Sequence, residues 1–439
     1  MSFETRLNFG FGSCFFLDSR PILSRHSSLN KAESGTVSRI LIIVQNLPVP
    51  LDRRVWLECL ALRSAGHQVS VICPKGGGTT EYEELEGVRI RRYEPPPATS
   101  SFLSFLWEFV YSWFATAYLT LRCALREGFD VIQACNPPDT YWALALPFRL
   151  FGKKFVFDQH DLCPEVYLSR FPEASRIPYR VLLLFERATY ATADHVIATN
   201  DSYREVASQR GHLSPEKITV VRTGPDANRM RAQAPRPELK HGRQYLCCYL
   251  GVMGPQDGVD LALRAAAVLV NDLCRRDVHF TFVGGGDSFD DLRSLARELS
   301  LDDYVDFTGR APDDLLFSIL STADLGLCPD PLNPLNDVST MNKTMEYMAF
   351  GLPVVAFDLK ETRVSAAEAA LYAPANDVRA FAGAISTLLD DPGKRAEMGR
   401  DGRKRVEDVL AWKHQVGAYL RVYDRVTGFS RPSYQENPS

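Results

Sequence analysis

The sequence predicts an α/β protein with two domains, each a doubly wound parallel sheet, whose sheets face each other across a cleft. Three observations support this prediction. Apolar strand-like segments alternate with helical segments, the alternation breaks in the Pro-, Arg- and Lys-bearing stretch 226–243, and it then restarts. Parallel strands need a crossover, usually a helix, so strand–helix–strand alternation indicates a parallel sheet. A chain of 439 residues accommodates two to three domains.

The first domain is predicted to span residues 39–226, after a flexible leader at 1–38. Its opening segment, 39–45, is a continuous apolar run, which is typical of a strand buried on both faces. The helical pattern at 53–65 ends at Gly66, because glycine commonly follows a helix. The remaining predicted strands are 68–73, 87–91, 129–134, 154–157, 195–198 and 218–221, and the helices are 102–125, 139–151, 179–193 and 202–210.

The second domain is predicted to span residues 227–411, with a helical segment at 412–428 and a tail at 429–439. Pro235 and Pro237 mark the preceding linker. The predicted strands are 245–250, 279–283, 304–307, 325–328 and 353–356, and the helices are 258–271, 289–299, 312–322, 342–350 and much of 378–426. Loops that follow parallel strands line a common crevice, where ligands bind in open α/β sheets.

Composition excludes several classes of protein. Fifty Lys and Arg against 54 Asp and Glu leave a net charge of −4, which argues against a nucleic-acid binder. Aromatic residues reach 11%, so disorder is not the main state. The ten cysteines include no C-x-x-C spacing, which favours reduced, packed thiols in the cytoplasm over disulfides or a zinc site.

Residues 102–125 are the most apolar part of the chain. Glu108 and Arg122 bound an apolar span of about 13 residues, shorter than the roughly 20 that a membrane crossing needs. Two interpretations remain: a buried amphipathic helix, or a helix lying in a membrane interface with Trp107, Trp113 and Tyr118 at the headgroup level. The second would place the protein on the inner face of the membrane.

The most informative segment for chemistry is 336–353. Ser339 and Thr340 are residue types that cap helix N-termini, and Gly351 closes the predicted helix. Met341, Met345, Met348 and Leu352 form its core stripe. Asn342, Lys343 and Glu346 lie off that stripe near the N-terminus, where free N–H groups and an ammonium suit a diphosphate and a carboxylate suits ribose hydroxyls. The alternative is a surface Lys–Glu pair.

This segment, NKTMEYMAFGLPVVAFD, resembles the donor-site helix of retaining glycosyltransferases of family 4, which have the two-Rossmann GT-B fold. The resemblance extends from Arg39 to about Val426. It includes the loop Asp158–Leu162 with Pro164 and Glu165, the glycine loop 282–287, and the strand end 306–309. Residues 412–423 resemble the closing helix that crosses back to the first domain.

The resemblance implies a set of donor-binding residues. Glu346 matches the second glutamate of the family's E-x7-E motif, which binds ribose; the first falls on Val338, and Asp337 beside it could reach the donor sugar. The family's phosphate loop carries an Arg and a Lys, but here Val252 and Asp257 stand in their places. We therefore expect Lys343, the helix start with Thr340 and Asn342, and the loops at Gly254 and Gly285 to bind the donor.

The resemblance also implies that His160 lies beside the reacting sugar and helps to position it, although a lone histidine after a strand is often structural. Arg53, Arg54, Asp161 and Glu165 are the predicted acceptor-side residues; solvent-facing arginines at a helix start are the alternative for the first two. No metal or cofactor is expected, because cations and helix dipoles can stabilise the leaving diphosphate and no D-x-D motif is present.

The predicted function is a retaining transfer of a sugar from a nucleotide diphosphate sugar to a polysaccharide or to a polyprenyl- or lipid-linked acceptor. Two alternatives remain open: a nucleotide-sugar epimerase or hydrolase on the same fold, and a non-catalytic partner subunit. A nicotinamide dehydrogenase is the poorest fit, since neither first-strand turn contains G-x-G-x-x-G.

Overall fold

The computed structural model describes residues 37–96, 102–171, 173, 175–227 and 229–428. Most of the predicted leader and the whole tail at 429–439 lie outside these ranges. Within them, two parallel sheets are present, and the fold class predicted from the sequence is confirmed.

The first sheet has eight strands in the order β3-β4-β2-β1-β5-β6-β7-β8, all parallel except β3, which pairs antiparallel with β4. The strands are β1 Arg39–Ile43, β2 Gln68–Pro74, β3 Tyr82–Leu85, β4 Val88–Tyr93, β5 Val131–Cys135, β6 Lys154–Gln159, β7 His195–Ala198 and β8 Ile218–Val220. The edge strand β3 was not predicted, because its sequence YEEL is mostly polar and lies on the surface.

In the described part of this domain, six α-helices lie between the strands: α1 Arg53–Ser64, α2 Phe102–Arg126, α3 Trp142–Leu150, α4 Cys163–Arg170, α5 Arg176–Thr192 and α6 Asp201–Gly211. The apolar side of α1 packs on one face of the sheet, and α2 to α6 pack on the other. The helix α4 was not predicted; Pro164 stands in its first turn, where the missing N–H has no helical partner to lose.

The second sheet has six parallel strands in the order β11-β10-β9-β12-β13-β14. They are β9 Tyr245–Leu250, β10 Val278–Val283, β11 Val305–Gly309, β12 Leu325–Cys328, β13 Val354–Phe357 and β14 Ala370–Ala373. The helices are α7 Val259–Ala267, α8 Phe289–Glu298, α9 Asp313–Thr322, α10 Asn342–Ala349, α11 Lys360–Ala366, α12 Val378–Asp390 and α13 Pro392–Arg405. The short elements β14 and α11 were not predicted.

The last helix, α14 Val416–Thr427, returns to the first domain. Trp412, Tyr419 and Tyr423 are buried in the same cluster as the apolar side of α1. The Tyr419 hydroxyl donates to Gln133 Oε1 of β5 at 2.8 Å. The segment with α14 therefore ties the second domain to the first, so the two sheets are held with a cleft between them.

No helix in the described ranges is both long enough and apolar enough to cross a membrane. The helix α2 is nevertheless not fully buried, because several of its large apolar side chains are exposed. Phe114 and Tyr118 are each 63% exposed and Trp107 is 60% exposed, whereas Trp113 packs towards the core. Trp113 is only partly exposed, so Trp107 and Tyr118 are the more accessible of the three aromatic side chains, and contact with a membrane stays a prediction.

Candidate active site

The loop that carries His160 follows β6 and is fixed by one side chain of the neighbouring strand end. Asn136, just after β5, accepts hydrogen bonds from the backbone N–H groups of His160 (2.7 Å) and Asp161 (3.1 Å). Its amide group donates to the Asp161 carbonyl oxygen at 2.7 Å. The loop is thus rigid at the carboxyl edge of the first sheet, where the sequence predicted a site.

The ring of His160 lies against a buried charge cluster. Its Nε2 is 2.8 Å from Asp158 Oδ2 and 3.1 Å from Arg54 Nε. Arg54 also bonds the other Asp158 oxygen at 2.9 Å, and its Nε lies 3.0 Å from Glu58 Oε1. The Arg54 Nε–H is directed at His160 Nε2, whereas Glu58 Oε1 is an ion-pair partner of Arg54 that accepts no hydrogen bond within the described part of the chain.

Charge balance in this cluster follows from the pKa directions. Burial would raise the pKa of Asp158, but the charges of Arg54 and His160 outweigh it and lower that pKa below its ordinary value. Burial raises the pKa of Glu58 well above its ordinary value, and the nearby Asp158 charge adds to the rise. Asp158 is therefore the carboxylate that orients His160.

The other residues predicted on the acceptor side lie in different surroundings. Asp161 is buried, and burial raises its pKa to about 7, opposed by the charge of His160. Glu165 is paired with Arg210 of α6, at 3.2 Å for one of its contacts, and therefore anchors α4. Arg54 is fully enclosed, so the solvent-facing alternative for it is wrong; its side chain is held by Asp158 and Glu58.

In the second domain, Lys343 is buried beneath the phosphate-loop position. Its Nζ is 2.6 Å from Asp330 Oδ1 and 3.4 Å from the Tyr249 hydroxyl. Burial alone would lower the pKa of Lys343, but the Asp330 carboxylate outweighs it and raises that pKa well above its ordinary value. Lys343 is therefore an ammonium, and the surface Lys–Glu alternative is wrong because both side chains are buried.

Two glycine-bearing loops meet above this ammonium. A Cβ on Gly284 would lie 1.8 Å from the Gly251 carbonyl oxygen, and one on Gly286 would lie 2.6 Å from that of Met253, so only glycine permits the contact. A Cβ on Gly285 would meet nothing within 4 Å, so this residue faces open space. The Gly254 N–H donates to Asp257 Oδ2 at 2.9 Å.

Asp257 is buried in the same loop, where the family usually has a cation. Burial raises its pKa to about 7, while the charge of Lys343 opposes the rise. The carboxyl is thus divided between its neutral and charged forms near neutral pH, and it adds negative charge to the loop as the pH rises.

Glu346 reaches across the gap between the domains. Its Oε1 is 3.9 Å from Arg53 Nη1, and Arg53 also lies 3.3 Å from Asp313 Oδ1 at the start of α9. A cavity of about 170 Å³ is lined by Arg53, Asn342 and Glu346 together with the interdomain linker. The Oδ1 of Asn342 is buried and, within the described part of the chain, accepts no hydrogen bond. The start of α10 therefore faces the first domain.

The capping prediction for α10 is wrong. The cap position is Met341, and no side chain caps the helix. Ser339 instead donates to the Leu335 carbonyl oxygen at 2.8 Å, and Thr340 accepts from Asn200 of the first domain at 3.0 Å. Leu335 and Tyr203 thus engage the Ser339 hydroxyl and Asn200 engages that of Thr340, and the first N–H groups of α10 keep no side-chain cap.

Asp337 has a different role from the predicted one. Its Oδ1 accepts from the Lys360 backbone N–H at 2.9 Å and so supports the start of α11. Several partners that complete the site were not predicted from the sequence: Asn136, Asp158 in its orienting role, Asp330, Tyr249 and Arg170. Asp330 carries a usable signal, since it follows β12 closely at the carboxyl edge of a parallel sheet.

Two groups of three side chains in the described ranges have ligand atoms close enough to hold a metal ion. The first is Cys135, Asp158 and His160, but the Arg54 guanidinium already neutralises that carboxylate. The second is His241, His279 and Asp306. His279 and Asp306 lie near the amino ends of β10 and β11, at the opposite edge of the sheet from the cleft loops.

The comparisons with known families agree with this geometry. Residues 52–229 match the family described as Glycosyltransferase Family 4, and residues 244–391 match Glycosyl transferases group 1. The two matches cover most of the chain, one in each domain.

One curated relative and two solved structures that are similar to this chain follow. The D-inositol 3-phosphate glycosyltransferase of Thermomonospora curvata is 26% identical over 332 residues, which is 69% of this chain and 75% of the relative. The sucrose-phosphate synthase of Thermosynechococcus elongatus has a TM-score of 0.69 at 21% identity, covering 90% of this chain and 100% of that one. The Anabaena protein HepE, solved with UDP and glucose, has a TM-score of 0.66 at 17% identity, covering 89% and 100%.

Both domains match family members, and the two sheets form the GT-B arrangement with the α10 segment facing the cleft. The chain therefore belongs to glycosyltransferase family 4.

Proposed function

We propose that the protein transfers a hexose-type sugar from a nucleotide diphosphate sugar to a glycan or to a lipid-linked acceptor, with retention at the anomeric carbon. One observation carries the proposal: the uncapped start of α10, with buried Lys343 and Glu346, faces the domain that bears His160. A positive helix end and an ammonium suit a diphosphate, and a carboxylate suits a ribose diol.

The reaction breaks the bond between the sugar's anomeric carbon and the leaving phosphate oxygen, and it forms a bond from an acceptor hydroxyl oxygen to the same face of that carbon. The acceptor's proton passes to the leaving phosphate oxygen, and a nucleoside diphosphate departs. Lys343, the α10 N–H groups and the Gly254 and Gly285 loops stabilise the charge on the leaving group. His160, oriented by Asp158, positions the sugar.

The remaining donor contacts follow the same geometry. Glu346 accepts from the ribose hydroxyls, and the buried Asn342 oxygen is free to accept from the donor as well. Thr340 and Asp337 act indirectly, since their side chains hold the α10 and α11 starts. We propose that no divalent metal is needed, because the cation and the helix end supply the positive charge.

A surface of the first domain supports a membrane-linked acceptor. One side of α2 exposes Trp107, Val110, Phe114, Tyr118, Leu121 and Leu125, at spacings of three and four residues. On the same side of the sheet, Leu150 and Phe151 at the end of α3 are 83% and 80% exposed, and α5 exposes Ile177, Val181 and Leu184. The helix α3 packs against α5, and we call the exposed apolar side chains of α2, α3 and α5, which lie on the same side of the sheet, the docking face.

Charge indicates what covers the docking face. Among the described side chains of α2, α3 and α5, every exposed charged residue is an arginine. They are Arg122, Arg126, Arg176, Arg180 and Arg187. Apolar side chains framed by arginines fit the interface of an anionic bilayer, where each cation contributes about 1 kcal/mol. We therefore propose peripheral contact with the cytoplasmic side of a membrane through this face, which includes residues 102–125.

Vesicle flotation tests the membrane contact. The protein should float with vesicles containing phosphatidylglycerol and less with phosphatidylcholine alone, and salt should weaken binding. The double variant Phe114→Ser, Leu150→Ser should lose binding about tenfold or more, whereas Val409→Ser, at an exposed apolar site of the second domain, should not. If instead the parent protein is a dimer that does not bind vesicles, and the double variant is a monomer, the docking face binds a second copy of the chain.

Acceptor-dependent consumption of a nucleotide sugar tests the transfer itself. A panel of nucleotide sugars is first screened for thermal stabilisation, where a ligand at about 100 times its Kd adds roughly 2.7 kcal/mol. Donor consumed without an acceptor would favour an epimerase or hydrolase. Nucleotide binding is compared between the parent protein and the Glu346→Ala variant. If the parent protein binds no nucleotide, a non-catalytic subunit is favoured.

A further inference from the structure

The diphosphate pocket of the second domain has little net positive charge. Lys343 is its buried cation, and Asp330 lies 2.6 Å from it. Val252 and Asp257 occupy the loop positions where the family resemblance leads us to expect an Arg and a Lys, and Asp257 adds a carboxyl instead. A leaving diphosphate that develops negative charge is stabilised further by each additional cation near it.

Arg170 brings a cation to the pocket from the other domain. It is the last residue of α4, and its guanidinium forms an ion pair with Asp287 in the glycine loop of the second domain. Its side chain is only 9% exposed, so it lies within the cleft. The positive charge of Arg170 also acts on Asp257: burial raises the pKa of Asp257, and Arg170 is among the charges that oppose the rise.

The surrounding contacts place Asp287 at the phosphate loop. The backbone of Ser288 donates to the Met253 carbonyl oxygen at 2.9 Å, and that of Met253 donates to Gly285 at 3.1 Å. The loops 251–254 and 284–288 are therefore one packed unit. A guanidinium that reaches Asp287 lies at the rim of this unit, next to the open space at Gly285.

The same segment of the first domain carries His160 and Arg170. The loop with His160 leads directly into α4, and the Glu165–Arg210 ion pair fixes that helix. An eight-residue helix is about 12 Å long. One rigid segment thus presents a sugar-facing residue at its start and a guanidinium directed at the second domain at its end.

We infer that Arg170 is the second diphosphate-binding cation of this enzyme, exchanging Asp287 for phosphate oxygens when the donor binds. The inference rests on the proposed function. A cation of the first domain takes the place of one that the family resemblance leads us to expect in the second domain. A guanidinium stays charged and can bind two phosphate oxygens at once. Because Arg170 and Lys343 belong to different domains, the complete diphosphate site forms only when the cleft is closed.

Three variants separate this role from a simple latch between the domains. Arg170→Ala should lower kcat/KM about a hundred- to thousandfold and weaken nucleoside diphosphate binding while leaving nucleoside binding unchanged. Arg170→Lys should restore part of the loss, since it keeps the charge. Asp287→Asn removes the ion pair but keeps the guanidinium, so it should lose much less activity and diphosphate affinity than Arg170→Ala does.

The outcomes are distinct. If Asp287→Asn loses as much activity and diphosphate affinity as Arg170→Ala, the ion pair only holds the domains together and the inference is wrong. The inference is also wrong if Arg170→Ala binds a nucleoside diphosphate as tightly as the parent protein does. Arg363→Ala, which breaks a surface pair with Asp358 inside the second domain, is the matched control. If the parent protein binds and transfers a nucleotide sugar and Arg170→Ala has the same activity, only this inference is wrong. If the parent protein transfers no sugar, the proposed function is wrong.

Discussion

Replacing Lys343 by methionine tests the diphosphate site most directly, because the side chain keeps its length and loses its charge. The ammonium is buried, 2.6 Å from Asp330 Oδ1 and 3.4 Å from the Tyr249 hydroxyl. A hydrogen bond to a charged group contributes about 1.5–3 kcal/mol, and about 1.4 kcal/mol corresponds to a factor of ten. We therefore expect the Kd for a nucleoside diphosphate to rise about ten- to a hundredfold, with the Kd for the nucleoside unchanged.

Stability must be separated from binding in this experiment. Removing Lys343 leaves the buried Asp330 carboxylate without its cation, and breaking a buried pair from one side costs about 3–5 kcal/mol. The double variant Lys343→Met, Asp330→Asn makes the pocket neutral. It should recover most of the free energy of unfolding measured in urea but none of the diphosphate affinity.

Isothermal titration calorimetry with the nucleoside and the nucleoside diphosphate, on the parent and both variants, measures these constants. Equal losses for the two ligands would show that Lys343 does not touch phosphate. Recovery of diphosphate binding in the double variant would show that the loss in the single variant came from the unpaired Asp330 and not from a missing phosphate contact.

Three further predictions concern other parts of the site. His160→Ala should lower kcat about ten- to a hundredfold with little change in donor Kd, because it removes a group that positions the sugar; an unchanged rate would remove His160 from the site. Burial raises the pKa of Asp257 to about 7, so the folded protein holds a proton that the unfolded chain releases near its ordinary value of 3.8. The free energy of unfolding should therefore fall as pH rises from about 4 to about 7. In Asp257→Asn, its fall with pH should be smaller by about 1.4 kcal/mol per pH unit. Urea denaturation that gives the same pH dependence for the variant and the parent protein would contradict this prediction. EDTA should leave the transfer rate unchanged, whereas loss of activity that added Mg²⁺ restores would refute metal-independent catalysis.

The sequence specified the architecture because apolar runs and turn residues are local signals. The strand β1 and the Met345 and Met348 stripe of α10 are buried as predicted, and Gly351 closes that helix. Local signals failed where tertiary contacts outweighed them. Ser339 and Thr340 are good caps by type, yet Tyr203 and Asn200 of the first domain form hydrogen bonds with their hydroxyls.

The positions of the cleft loops also followed from sequence, since parallel strands bring their carboxyl ends to one edge. This placed His160 in the cleft, whereas Lys343 and Glu346 were singled out by their place near a helix N-terminus and by the resemblance to the family's donor-site helix.

Side-chain partners could not be read from the sequence. Arg54 and Asp158 are 104 residues apart, and Arg170 and Asp287 are 117 apart. A hydrogen bond between such residues depends on how whole sheets and helices pack, and no pattern along the chain encodes the direction of a side chain across a cleft. Hydrophobic periodicity thus determined which segments form the two domains, and only packing decided which charges meet between them.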